Sequence, residues 1–557
     1  MTYRLDLDDI QGMIVRAYGR YSYPFARYYF LNISDPAKGR AFVGQVADKV
    51  TTAARWPTES ARPPCTVNIG FTFFGLYNLD LSQRTLRAMP EEFIAGMRHR
   101  AFVLGDRDQT MTENEARAER WDAHWDPIWR GNRLGDGYEP DNIHVWISFN
   151  AQQKARGVAE PVDELEEMAT WLRRLCDESG GGVKILGGHG RDGAMDHQAA
   201  SAVFKAINGV LVPTPTEHFG YTDGIGDPVF AGQYAPEEER TMVIGRGKRL
   251  GAGWVPIAPG EFILGHPDES QELPPTAPPA KFMRNGSFMA YRKLHEKVGS
   301  FTEVIRTEGA RFARVRGVSQ EEAEATLCAK MCGRWTDGIP LASAPDFESW
   351  MRLREELGLN VEDKMQAFLN HLAYLKSPAS SDFRYADDMP GYKTPTGAHL
   401  RRVNTRDYLD PLNVTGVDDK GDPHPNEKAT TQLNKRRRIL RRGLPYGPAF
   451  GTEMTDDTEQ GVALMVVSAS LFRQFEFVQQ QWIQYGLDFN QGNDTCPMLG
   501  NHEVHKRFSI PSDPRSGKAP YIMSGLKTFV ECRGGDYFFI PSLSALRMIA
   551  MGVVDPT

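Results

Sequence analysis

Three short stretches of the chain combine residue types that can do chemistry together. The first is P-T-G-A-H-L-R-R-V-N-T-R-D at 395–407, where His399 leaves a Pro/Gly loop and Arg401, Arg402 and Arg406 follow within seven residues. One neutral imidazole beside concentrated positive charge suits a metal ligand next to an anionic cofactor. The second, E-H-F-G-Y-T-D-G-I-G-D-P at 217–228, holds Asp223 among aromatics and glycines. A turn aspartate often bonds its own backbone, whereas a poorly solvated one has a raised pKa and can carry a proton. Spacing alone leaves both readings open. The third, N-K-R-R-R-I-L-R-R-G-L-P-Y-G at 434–447, reads in isolation as a nucleic-acid patch or, over 435–438, as a solvated face. Ile439 and Leu440 interrupt it in a strand-like way and G-L-P-Y-G closes it with a turn. One of Arg441 and Arg442 is therefore expected to point inward as a fixed cation.

A haem satisfies the first pattern. A single axial histidine holds its iron, and guanidinium forks among Arg401, Arg402 and Arg406 clamp its carboxylates. No C-x-x-C-H occurs, so the haem would be non-covalent and b-type. The six cysteines are scattered, and Cys328 and Cys332 at i,i+4 lack the second pair that a zinc site needs. They read as reduced thiols of a cytoplasmic protein. The aromatic run W-D-A-H-W-D-P-I-W at 121–129 suits either a relay or docking surface, or the packing of an inserted loop, the reading preferred here.

The elements that must position these residues follow from hydrophobic periodicity. Strands are expected at 26–33, 66–74 and 144–150, with helices at 38–50, around 86–96, and at 161–177. In the second half, 286–294, 438–440 and 462–468 read as strands, 298–332 as a long helical region, and 471–482 as a helix with one apolar face. This alternation predicts an α+β fold of two ferredoxin-like βαββαβ halves, of the dimeric α/β-barrel type, with antiparallel sheets flanked by helices. The halves are drawn at 1–228 and 229–557, the second carrying a helical insertion near 345–376 and a loop near 405–435. With 557 residues, 41% hydrophobic, and 65 basic against 72 acidic residues, the chain has a net charge of −7 and lacks the balance of a general nucleic-acid binder. No stretch of about 18 apolar residues predicts a membrane span, and no signal segment is recognised at the start, so neither nucleic acid nor membrane is an expected partner.

The chain resembles the dye-decolourising peroxidases, in particular the longer members of that family. The resemblance is carried by G-Y-T-D-G (220–224), D-D-I-Q-G (8–12), A-K-M-C-G-R-W (329–335), G-A-H-L-R-R (397–402), I-L-R-R-G-L-P-Y-G (439–447) and G-G-D-Y-F-F-I-P-S-L (534–543), from the first dozen residues to the last. It implies a haem peroxidase, with one haem b per chain. Hydrogen peroxide would oxidise dyes, phenols or other aromatic donors through an oxo-ferryl intermediate; the alternative is a haem-binding, iron-handling or sensor protein with weak turnover. Carried over by position, His399 is the proximal iron ligand, Asp223 the acid–base residue and Arg441 the arginine beside it. Arg406 meets a propionate, and Asp536 accepts the His399 ring N–H. Val462 and Leu464 form a smaller, less aromatic lining on the peroxide side than the family's usual Leu and Phe. An oligomer is compatible with this reading.

Overall fold

A computed structural model describes residues 4–19, 22–58, 61–106, 121–130, 142–250, 253–409, 416–417, 423–424, 432–448, 455–502 and 506–553. The β-branched and aromatic runs pair into one nine-stranded antiparallel sheet. Its strands are β1 (Phe25–Ile33), β2 (Cys65–Phe71), β3 (Val145–Ala151), β4 (Val183–Ile185), β5 (Gln198–Ser201), β6 (Ser287–Glu296), β7 (Leu440–Tyr446), β8 (Gly461–Ser468) and β9 (Val530–Ile540). They lie in the order β7-β8-β6-β9-β2-β3-β1-β4, with β5 also paired to β1. The two halves meet where Phe539 of β9 registers with Phe71 of β2.

Side chains alternate across this sheet, so each strand feeds two cores. Tyr29, Leu31 and Ile33 of β1 face one apolar layer, while Tyr28 and Phe30 face the other. Helix α1 (Pro36–Ala47) starts where Asp35 accepts from Lys38 N and Pro36 presets the first turn. Helix α2 (Glu164–Glu178) buries Leu165, Ala169, Leu172 and Leu175 and carries three glutamates in its first turn, opposite the positive end of the helix dipole. Trp125 and Trp129 are buried, Trp129 lying edge-on to Phe30 at 4.7 Å and stacked on Tyr291 at 5.5 Å, as packing of the 121–129 segment requires.

Three features of the second half differ from the periodicity reading. The expected 298–332 helix is two: α3 (Val298–Arg316) ends at Gly317, φ +71°, and α4 (Gln320–Cys332) restarts where Ser319 accepts from Glu322 N. The segment after β8 winds with the wider π-helical repeat, over Leu471–Glu476 and Val478–Ile483. The G-L-P-Y-G sequence is strand rather than turn, with Pro445 opposite Val462 and Tyr446 opposite Gly461. Because β7 is the sheet's edge, the missing N–H of Pro445 costs no ladder bond. Gly443 takes φ +110°, and a Cβ there would lie 1.8 Å from Ala463 O. The expected insertion is present as α5 (Phe347–Glu356) and α6 (Lys364–Lys376), docked through Trp350 stacked on Trp335 at 4.3 Å. Most of the expected 405–435 loop lies outside the described residues. No helix among the described residues is long and apolar enough to cross a membrane.

Candidate active site

Strand alternation decides which side chains of the second half share a face. Arg292, Leu294 and Glu296 of β6, Val462, Leu464 and Val466 of β8, and Arg441 of β7 line one cavity of about 230 Å³. Register places Leu294 opposite Val462, Arg292 opposite Leu464, and Arg441 opposite Val466. Val530 at the start of β9 continues the floor, which spans four strands, about 14 Å. Helix α4, the 217–228 loop, the 399–404 segment and the wide helix close the remaining walls. Val462 and Leu464 line this cavity and also border an adjoining one of about 120 Å³ that reaches Tyr18 and Gly19.

Backbone bonds hold the acid in place. Asp223 N donates to Pro215 O at 2.8 Å, Thr222 N to Thr336 O at 2.8 Å, and the Glu217 carboxylate accepts from Phe219 N and Tyr221 N. Gly220 and Gly224 supply the φ values of +92° and +80° that this path demands. Asp223 Oδ1 accepts from Arg441 Nη1 at 2.7 Å, and the Asp223 charge raises the Arg441 pKa. The side chains keep 32% and 37% of their exposure. Asp223 is therefore half-buried and ion-paired. Arg442 points to the opposite face, where it donates to Met13 O and to Asp227.

His399 opens the short helix α7 (His399–Val403) and enters the same cavity. Burial first, then the positive charge of Arg441, push its pKa down to about 4, so the imidazole is neutral and keeps a lone pair for a metal. Its Nδ1 lies 3.3 Å from Cys496 Sγ, which leaves Nε2 as the nitrogen available to a ligand.

The arginines divide in a way that charge counting did not anticipate. Arg402 is buried and fully engaged as a brace, donating to Gly397 O, Trp482 O, Tyr485 O and Asp494 O at 2.8–3.2 Å. It does not line the cavity. Arg406 adopts φ +51°, a left-handed conformation that directs its side chain inward from the end of the loop. Its Nη1 donates to Ser381 O and Phe383 O, and its guanidinium lies 3.7 Å over the Phe383 ring. Nε and Nη2 of Arg406 are buried without a partner. Arg334 and Arg438, which line the cavity, are close enough to lower the Arg406 pKa further after burial, to about 9. Arg334 and Arg438 are likewise buried and held by backbone carbonyls. Three buried guanidiniums close together, one of them with orphaned N–H groups on Nε and Nη2 of Arg406, are a site for anionic oxygens. The donor set fits the carboxylates of a haem, with His399 as a nitrogen ligand on the same cavity.

Asp536 lies elsewhere. Its Oδ1 accepts from Met97 N at 3.0 Å and Tyr537 N at 2.8 Å, and it is absent from the cavity walls. Sequence reasoning missed Cys496, Arg334 and Arg438. Arg438 sat in the stretch read as a solvated face; instead it is 6% exposed, Arg437 lies over Phe477 at 3.6 Å, and Arg436 pairs with Asp268 at 2.8 Å. The signal available was the pair of apolar residues after Arg438, which places it two residues before a buried strand. No local signal pointed to Cys496, which is 97 residues from its partner.

No family model matches the chain. Dye-decolorizing peroxidase msp1 of Mycetinis scorodonius is 24% identical to it over 98% of this chain and 88% of the relative. Peroxidase 2 of the same organism is 27% identical, over 98% and 87%. An ancestral D-type dye decolorizing peroxidase of known structure superposes with a TM-score of 0.68 at 22% identity, covering 98% of this chain and 99% of the other. The shared fold is α+β, a large antiparallel sheet flanked by helices.

Proposed function

We propose that this chain, similar over its length to dye-decolourising peroxidases, is a haem peroxidase of that family that uses hydrogen peroxide to oxidise dyes and phenols. One observation carries the proposal: a single cavity collects a neutral histidine, an aspartate–arginine pair and the buried guanidiniums of Arg334 and Arg438, with the partly unpartnered Arg406 close behind them. Solved relatives described in complex with 2,6-dimethoxyphenol and with cyanide support a small-anion site and a phenolic donor.

His399 would hold the iron through Nε2, and Arg406, with Arg334 and Arg438 beside it, would receive the propionates. Haem b, one per chain and non-covalent, would supply a ferric centre that binds peroxide and exchanges electrons with it and with donors. The protein's own part is proton handling. Asp223 in its charged form accepts the peroxide proton at a carboxylate oxygen and returns it to the departing oxygen, so no strong acid or base has to form in the cavity. Arg441, fixed 2.7 Å from that carboxylate, offers its remaining N–H groups to the negative charge that develops on peroxide. Val462 and Leu464 keep this side of the cavity apolar and leave room for little besides a small oxidant. Dyes are larger than such a space, so their electrons would be delivered from outside it.

The strand orders β2-β3-β1-β4 and β7-β8-β6-β9 are the same permutation of each half's own sequence order, which supports two ferredoxin-like units; the boundary proposed between them is 228/229.

The test is direct. Purified protein should show a Soret band that His399→Ala abolishes or shifts, and peroxide-dependent bleaching of an anthraquinone dye and oxidation of 2,6-dimethoxyphenol. A His399-dependent Soret band without peroxide-dependent oxidation would reject the peroxidase reading in favour of haem storage or sensing.

A further inference from the structure

A histidine that gives Nε2 to a metal carries its proton on Nδ1, and the acceptor of that proton sets how much electron density the ring can donate. The resemblance led to the expectation of a carboxylate there. The structure puts a sulfur there instead: Nδ1 of His399 lies 3.3 Å from Sγ of Cys496.

The contact is held from both sides. Cys496 is fully buried; its N–H donates to Ile483 O at 2.7 Å, and its carbonyl accepts from Gly500 N at 2.9 Å and bonds His502 Nε2 at 3.0 Å. Arg402 ties the two loops together, because the same guanidinium donates to Gly397 O, two residues before His399, and to Asp494 O, two residues before Cys496. The brace that charge counting took for a cofactor clamp thus fixes the relative placement of imidazole and sulfur. Asp536, the carboxylate expected in this role, bonds Met97 N and Tyr537 N.

We propose that Cys496 is the positioning residue behind the iron ligand, its sulfur accepting the His399 Nδ1–H where a carboxylate was expected. Sulfur is a weak acceptor, and a hydrogen bond to a carboxylate is roughly twice as strong as one between neutral groups. The histidine of this chain is therefore a weak electron donor to iron. Cleavage of the peroxide O–O bond leans correspondingly more on Asp223 and Arg441. Orientation of the ring survives, since the sulfur still fixes its plane, while the electronic push is reduced.

The inference rests on His399 being the iron ligand, so the experiment separates the two. Haem-loaded wild type, Cys496→Asp, Cys496→Ser and His399→Ala are compared by resonance Raman of the ferrous form and by spectroelectrochemistry. Cys496→Asp should raise the iron–histidine stretching frequency and lower the ferric/ferrous midpoint potential. It should also speed the reaction with peroxide by about tenfold. Cys496→Ser, nearly isosteric but with a shorter bond to its heteroatom, should loosen the contact, lower the stretch and raise the potential; it decides the matter if the buried aspartate prevents folding. Wild-type stretch and potential in both cysteine variants would overturn the proposal while leaving the peroxidase reading intact. A His399→Ala protein that keeps the histidine-ligated spectrum would instead remove the ligand assignment, and this proposal with it.

Discussion

Replacing Asp223 with asparagine removes one proton-accepting oxygen and changes little else. The amide has the carboxylate's shape, and its oxygen can still accept from Arg441 Nη1, 2.7 Å away. The loop is held through backbone N–H groups, Asp223 N to Pro215 O and Thr222 N to Thr336 O, which the substitution does not touch. The ion pair it weakens keeps 32% and 37% side-chain exposure, so solvent screens it to about 0.2–1 kcal/mol. Thermal stability should accordingly move by no more than about 2–4 °C. The chemistry should suffer far more. Loss of a positioned general base costs roughly 10²–10⁴-fold, equivalent to about 2.7–5.4 kcal/mol of barrier. Stopped-flow mixing of haem-loaded protein with peroxide, followed at the Soret band over a range of peroxide concentrations, gives the second-order rate constant. Arg441→Leu provides the comparison for charge stabilisation without proton transfer. A D223N rate constant within threefold of wild type, with an unchanged Soret band, would refute the proton-shuttle assignment and leave Asp223 as a partner that merely orients Arg441.

Other substitutions separate cofactor contacts from scaffold. Arg406→Met should make the haem-free protein more stable, by a few degrees in a thermal melt, because a buried guanidinium with unpartnered Nε and Nη2 is removed, while haem is lost faster to an acceptor apoprotein. The pH dependence has a definite sign. Burial lowers the Arg406 pKa to about 9, so between that pH and the unfolded value the folded chain holds fewer protons, and stability rises with pH. The advantage of Arg406→Met should therefore be complete below about pH 9 and shrink above it; an advantage independent of pH would contradict a charged, incompletely bonded Arg406. Arg402→Ala should destabilise haem-free and haem-loaded protein alike, by at least about 2 kcal/mol in urea titrations, since four carbonyls lose their donor. Gly443→Ala places a Cβ against Ala463 O on a left-handed residue and should cost about 1–3 kcal/mol, with slower peroxide reaction as the neighbouring Arg441 is displaced.

How far the sequence could be read depended on the range over which each feature is decided. His399, Asp223 and Arg441 were legible because their neighbours declare a setting: a Pro/Gly loop before an imidazole, glycines around an acid, a strand-like pair before two arginines. Val462 and Leu464 were legible through the alternation of a strand. Strand identities, the insertion helices and the run of helices along the second half followed from periodicity for the same reason. Where periodicity misled, a local rule met a tertiary exception. Pro445 and Gly443 are turn residues in most settings, but an edge strand asks nothing of the proline N–H, and the glycine fits against Ala463.

Composition and local pattern by themselves determined that the chain makes an α+β fold and that it carries an imidazole beside positive charge, an acid in a glycine-rich turn and a strand-borne arginine. Only the tertiary structure decided which of these groups meet. Arg402 and Arg406 are four residues apart and chemically identical, yet one is consumed by four backbone carbonyls and the other is left with unpaired N–H groups beside the cavity wall. Cys496 rather than Asp536 lies against the His399 ring because a loop 97 residues away is tied in by Arg402. A hydrogen bond fixes distance and direction to within tenths of an ångström, and one-dimensional spacing carries that information only within a helix turn or along a strand.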